Sequence, residues 1–152
     1  MIRLVAATPF VLLIALLSAC GGGSDYKEPA ATPAFPGSDW RLDYSVSGGI
    51  AGLSQQLVLD EKGNAQLEDK RVKRTRYAYV VPSDLGMIKS LMAELPTAKS
   101  DQGLPHPDAI VTSIKVTSGN KTYGATFNTT PNSPNLAALL RRLAAIYDDN
   151  RP

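Results

Sequence analysis

Apolar and polar residues alternate with a period of two from position 40 onward. Trp40, Leu42, Tyr44 and Val46 fall on one side of an extended chain, and Arg41, Asp43, Ser45 and Ser47 on the other. That pattern predicts a strand with one buried face. Gly48-Gly49-Ile50-Ala51-Gly52 interrupts it, and a second strand follows with Leu53, Leu57 and Leu59 on one face and Val58 on the other. Asp60-Glu61-Lys62-Gly63-Asn64 reads as a hairpin turn, because Gly63 is free to take positive φ. A third strand starts at Ala65 and Leu67, and the β-rich stretch 76–81 predicts a fourth.

The period then changes. Pro82-Ser83 opens a helix that Ser83 can cap, with Leu85, Ile88, Leu91, Met92 and Leu95 on one side and Pro96 as its stop. A loop over 97–108 follows. Ile110, Thr112, Ile114 and Val116 alternate again, and Ser118-Gly119-Asn120 turns the chain into a strand over 122–127 with Tyr123, Ala125 and Phe127 facing one way. After Pro131, Ser133 and Pro134, an apolar stripe of Leu136, Leu139, Leu140, Leu143, Ile146 and Tyr147 predicts a last helix. The order β-β-β-β-α-β-β-α with short hairpin spacings implies an α+β fold. It should be an antiparallel sheet of about five to six strands with two amphipathic helices on one face.

The N-terminus has a different pattern. Met1-Ile2-Arg3 is a short basic start, and positions 4–17 are apolar apart from Thr8 and Pro9. This run has the length of a signal-peptide apolar region and falls short of a spanning helix. Leu17-Ser18-Ala19-Cys20 resembles a bacterial lipobox, whose peptide is cut before the cysteine and whose thiol receives a diacylglyceryl group. The resemblance implies a signal peptide over 1–19, a lipidated Cys20 and attachment to membrane lipid, palmitate among its acyl chains. Gly21 follows the cysteine in place of the aspartate that marks inner-membrane retention in such lipoproteins. The implied location is the periplasmic face of the outer membrane in a diderm cell, and the outer face of the cell membrane otherwise. Positions 20–38, rich in Gly, Pro, Ala and Ser, read as a flexible tether reaching on the order of 25 Å, and 39–152 as a single domain.

Composition narrows the function classes. The 152 residues include 16 Lys and Arg against 14 Asp and Glu, too balanced for a dedicated nucleic-acid binder. One cysteine and one histidine exclude an internal disulfide and a Cys₂His₂ or Cys₄ zinc site. Any histidine-based catalyst would have to use His106, which sits between Pro105 and Pro107 in a loop. The sequence therefore points away from an enzyme, calls for no cofactor, and suggests a chain that works by binding protein.

Two stretches stand out as binding elements. Gly48, Gly49, Ile50, Ala51 and Gly52 lack the lysine, spacing and following helix of a phosphate loop. They imply a sharp backbone reversal, with Ile50 either tucked into the core or carried at the tip. Lys70, Arg71, Lys73, Arg74 and Arg76 put five cations into seven residues. Such a run can steer an acidic partner or meet anionic lipid, and can equally serve as a solvated strand edge that blocks edge-to-edge pairing.

The stretch YSVSGGIAGLSQQLVLDEKGN resembles the opening of the emfourin family, proteinaceous inhibitors of protealysin, a thermolysin-like metalloprotease. Members open with a strand, Ser-Gly-Gly-[Phe/Ile]-Ala-Gly and a second strand, then a capped helix, a two-strand hairpin and a Leu-rich helix. Ser47 to Gly52, then 82–95, 110–127 and 134–147, occupy those places in order. The resemblance implies an inhibitor whose Ile50 meets a cleft that favours large aliphatic or aromatic groups just past the cut site. The basic insertion before the first helix, the lipobox and Ile50 in place of the commoner Phe depart from that pattern. The alternative is a non-inhibitory envelope lipoprotein that binds or helps assemble another envelope protein.

Overall fold

A computed structural model of the chain describes residues 35–100, 106 and 108–152. The signal segment 1–19, Cys20 and most of the expected tether lie outside the described residues. The strands are β1 (Trp40–Gly48), β2 (Leu53–Asp60), β3 (Asn64–Asp69), β4 (Arg74–Tyr79), β5 (Ile110–Ser118) and β6 (Lys121–Phe127). The helices are α1 (Pro82–Met92), between β4 and β5, and α2 (Pro134–Asp149), after β6. The fold is α+β. All six strands join one antiparallel sheet in the order β4-β3-β2-β1-β5-β6.

Period-two patterning explains which face is covered. Leu42 and Tyr44 of β1 pair in register with Leu59 and Leu57 of β2 and with Val116 and Ile114 of β5, and Trp40 precedes them on the same face. All are buried, together with Ala65, Leu67, Ala125 and Phe127. Ile88 and Met92 of α1 and Leu136, Leu139, Leu143, Ile146 and Tyr147 of α2 close over them. Each fully buried leucine contributes about 1.5–3 kcal/mol through the apolar surface it removes from water. Burial also pushes the Tyr44 hydroxyl up to about 12, with the charge of Asp148 adding to the effect. The opposite face is polar and hydroxyl-rich: Ser113 pairs with Thr126 at 3.1 Å and Thr117 with Thr122 at 3.2 Å.

The two helices are tied by charge. Arg142 of α2 forms an ion pair with Asp84 in the first turn of α1. Beyond α1, Glu94 accepts hydrogen bonds from Ser133 Oγ and Asn135 Nδ2, which hold its carboxyl below the ordinary glutamate range. That places an anion at the N-terminus of α2, the end at which a helix favours negative charge. α2 runs from beside Phe127, which shares a groove with Leu136, to β3, where Tyr147 Oη donates to the Glu68 carbonyl at 3.2 Å.

Some local expectations change. Ser83 does not cap α1: Val81 occupies the cap position, without a side-chain hydrogen bond, and Pro82 starts the helix. Proline suits that first position because its fixed φ is already helical and its missing N–H has no helical acceptor there. Ser133 does cap α2, accepting from Leu136 N at 3.2 Å. α1 ends at Met92, and Pro96 lies in a short 3₁₀ turn, Leu95–Thr97. β4 begins two residues earlier than the 76–81 expectation, since the turn over 70–73 is tight enough to pair Arg74 with Asp69. The end of the expected tether is docked onto the domain. Phe35 packs edge-on against Tyr123 with ring centroids 4.7 Å apart, and Gly37 N donates to Ser118 Oγ at 3.0 Å.

Candidate protein-binding site

The site is built where β1 turns into β2. Gly48, Gly49 and Gly52 all adopt positive φ, at 95°, 71° and 60°. At Gly48 the requirement is also steric, because a Cβ there would lie 2.2 Å from the Ala109 carbonyl oxygen. Gly49 N donates to that same oxygen at 3.2 Å, so the chain entering β5 clamps the base of the turn. Gly52 N donates to the Gly49 carbonyl at 2.9 Å, closing the reversal around Ile50 and Ala51. Ile50 is carried outward and is 91% exposed. Of the two sequence readings of Ile50, burial under a structural bend is ruled out and the tip position holds.

A second clamp comes from the turn between β3 and β4. Asp69 Oδ1 accepts from the backbone N–H groups of Arg71 at 3.0 Å and Val72 at 3.4 Å, and Lys73 takes φ 54° to finish the turn. Lys70 N donates to the Ser54 carbonyl at 2.9 Å, holding this turn beside β2. Arg71 Nη1 then reaches the Ala51 carbonyl at 2.8 Å. The glycine turn is therefore held from outside, at its base by Ala109 and beside its apex by Arg71. Val72 and Ile110 are half-exposed apolar residues on the two clamping segments.

The five cations divide into two groups. Lys70, Arg71 and Lys73 stand in the turn, whereas Arg74 and Arg76 belong to the edge strand β4. All five are exposed. Arg71 holds Ala51, and Arg76 Nη1 donates to the Arg151 carbonyl at 3.2 Å. Lys70, Lys73 and Arg74 make no side-chain hydrogen bond or ion pair among the described residues, so they present unpaired charge to solvent. The structure thus joins the glycine loop and part of the basic run into one surface: an apolar tip with cations beside it.

The remaining candidates lie apart from chemistry. His106 is exposed, and its Nδ1 accepts from Asp108 N at 3.2 Å. Its carbonyl accepts from Ala109 N at 3.0 Å, so it helps shape the segment that clamps Gly49. Asp148 pairs with Arg151 at 2.7 Å. Among the described residues no cluster of three His, Cys, Asp or Glu side chains is arranged to hold a metal ion, and no helix is long and apolar enough to cross a membrane. A groove of about 430 Å³ beside Ile110 is lined by Thr112, Phe127, Ala137, Leu140 and Arg141, with no pair of titratable groups converging in it.

Ala109 and Arg71 are the residues that sequence reasoning did not single out as clamps. Ala109 acts through its carbonyl, which any residue supplies, so no side-chain signal was available. Arg71 lay inside a charge run whose members look alike in one dimension. The chain matches no protein-family model and no curated protein sequence at a significant level.

Proposed function

We propose that this protein is a membrane-anchored envelope lipoprotein whose domain inhibits a thermolysin-like metalloprotease. Lipid attachment is through Cys20, at the periplasmic face of the outer membrane in a diderm cell. The glycine turn Gly48–Gly52 is the inhibitory element, and Ile50 is the side chain that enters the cleft. The observation that carries this reading is an isoleucine 91% exposed at the apex of a turn fixed by two independent clamps. A free apolar side chain of that size gains about 1.5–3 kcal/mol when a partner buries it. The clamps mean that little loop entropy is lost on binding, which is the condition under which a projecting turn binds tightly. Lys70, Arg71 and Lys73 beside the tip supply the charge that steers association with an acidic surface.

The test is to titrate the purified chain against thermolysin-like proteases, including any encoded in the same genome. Inhibition at stoichiometric concentrations is expected, and absence of inhibition against all of them ends the reading. Lipidation is tested separately: labelled palmitate should enter the wild type and not Cys20→Ser, and equal labelling of both ends the lipoprotein assignment.

A further inference from the structure

The two edges of the sheet are treated differently. On the β6 side, Thr126 directs its backbone N–H outward and is met by Ser100 Oγ at 3.1 Å, so a neighbouring segment engages that edge at this position. On the β4 side no backbone partner is in place among the described residues. Val80 N donates to the Gly63 carbonyl at 2.8 Å, which sets the phase of the β3–β4 ladder. Residues 74, 76, 78 and 80 turn their backbone groups toward β3, and Thr75, Tyr77 and Tyr79 turn theirs away. Those outward groups have no partner among the described residues. The strand is also long enough for pairing, at six residues, and contains neither proline nor a bulge.

Side chains give this edge a character. Tyr77 and Tyr79 stand on the open face of the sheet, opposite Gln66 and Asn64, and are 75% and 63% exposed. Arg74 and Arg76 project to the other side, opposite Asp69 and Leu67, and Lys73 adjoins them. The acids paired with the strand on β3 are Glu68, opposite Thr75, and Asp69, whose Oδ1 is engaged by the N–H groups of Arg71 and Val72; Asp148, farther along, is matched by Arg151, whose carbonyl accepts from Arg76. Three cations against these two acids leave the edge net positive. A second copy of the same strand would bring its own Lys73, Arg74 and Arg76 to this edge, and like charges oppose that pairing. An acidic strand gains from the same charges and from the free backbone groups.

We propose that β4 is a docking edge for an extended acidic segment of a partner protein, which joins the sheet as a seventh strand. Main-chain hydrogen bonds to Thr75, Tyr77 and Tyr79 supply the pairing. Carboxylates at alternate positions meet Arg74 and Arg76, and the intervening side chains pack against the two tyrosines. This inference stands independently of protease inhibition.

The probe is a blocked hexapeptide alternating Glu and Val, added to the isotope-labelled full chain and followed by amide NMR and hydrogen exchange. Binding should slow exchange at the amides of Thr75, Tyr77 and Tyr79, and replacing Glu by Lys should weaken it at least tenfold. The Tyr77→Pro variant keeps the β3 ladder, because the N–H it removes points away from the sheet. It should lose at least tenfold in peptide affinity with its other amide signals unchanged. If that variant does not fold, a peptide N-methylated along its pairing edge tests the same bond on the wild-type protein and should bind at least tenfold more weakly. No binding at millimolar peptide, equal binding of the Lys peptide, undiminished binding by the proline variant or the methylated peptide, or shifts confined to the glycine turn would each overturn the proposal.

Discussion

Two hairpin turns cap opposite ends of β2, and they are held in opposite ways. The turn from Asp60 to Asn64 is closed by its own side chains, with Val80 N adding a bond to the Gly63 carbonyl. Asp60 Oδ1 accepts from Lys62 N at 3.0 Å and Asn64 N at 2.8 Å, and its Oδ2 accepts from Asn64 Nδ2 at 2.8 Å. Gly63 N closes the reversal onto the Asp60 carbonyl at 3.1 Å. The turn from Gly48 to Gly52 has no polar side chain of its own; besides the Gly52 N to Gly49 carbonyl bond it is held by groups from distant parts of the chain, Ala109 and Arg71. Its apex is an exposed isoleucine, where the other turn carries Glu61 and Lys62. A turn that satisfies itself with polar side chains is complete as structure. A turn that needs outside clamps in order to expose an apolar residue is better explained by recognition.

The largest expected effects come from the glycines. Gly48→Ala places a Cβ 2.2 Å from a backbone oxygen at a φ of 95°, and should cost about 3 kcal/mol in urea unfolding. Gly63→Ala meets the Val80 carbonyl at 2.6 Å with φ 90° and should cost about 2 kcal/mol. Both turns thus require glycine for stability. Only the first should also affect inhibition in the fraction that remains folded. A Gly48→Ala protein as stable as its parent would mean that the Ala109 clamp is absent in solution.

Ile50→Asp sharpens the contrast. Inhibition should weaken by at least tenfold, about 1.4 kcal/mol, while the thermal midpoint stays within a degree or two. Glu61→Ala, at the corresponding position of the other turn, should leave inhibition unchanged. Equal effects at both positions would dissolve the distinction between a structural and a recognition turn.

Next in size is the charge beside the tip. Reversing Lys70, Lys73 and Arg74 to Glu should slow association with the target several-fold at low salt and flatten its salt dependence, leaving dissociation almost unchanged. These three are chosen because they hold nothing else in place, in contrast to Arg71, whose side chain supports Ala51. Association rates that ignore the reversal would leave the cations as plain solvating groups.

The smallest effect concerns pH. Burial is the largest single influence on Asp60 and opposes its ionisation, but the hydrogen bonds from Asn64 and Lys62 and the Lys62 charge together outweigh it and hold the carboxyl below the ordinary aspartate range. A depressed folded-state value stabilises the protein above the unfolded aspartate pKa, and the contribution fades as pH falls through the folded value. Asp60→Asn should therefore remove a small part of the acid-side loss of stability, by a few tenths of a kcal/mol at this exposed site. Glu94 shifts in the same direction through Ser133 and Asn135, so the double variant with Glu94→Gln should flatten the acid limb further. Thermal midpoints measured from pH 7 down to pH 3 would read both, and an unchanged limb in the double variant would mean that neither carboxylate is held as described.

The strands and helices were largely legible in one dimension because alternation and helical spacing are local consequences of having one face to bury. Trp40, Leu42 and Tyr44 announce β1 without reference to any other segment, and Leu136, Leu139 and Leu143 do the same for α2. Self-satisfied turns are equally local, so Asp60 to Asn64 could be recognised from its own residues. Helix starts were less secure, since Ser83 and Pro82 both suit the first turn and only the backbone decides between them. The candidate site depended on contacts between segments far apart in sequence. Three glycines permit a reversal but do not say which way its apex points. The approach of the Ala109 carbonyl to Gly48 and the reach of Arg71 to Ala51 turned Ile50 outward, and the sheet order left the outer edge of β4 without a backbone partner among the described residues while Ser100 met β6 at Thr126. Periodicity specifies what each segment must bury; only the packing of all of them decides what remains exposed.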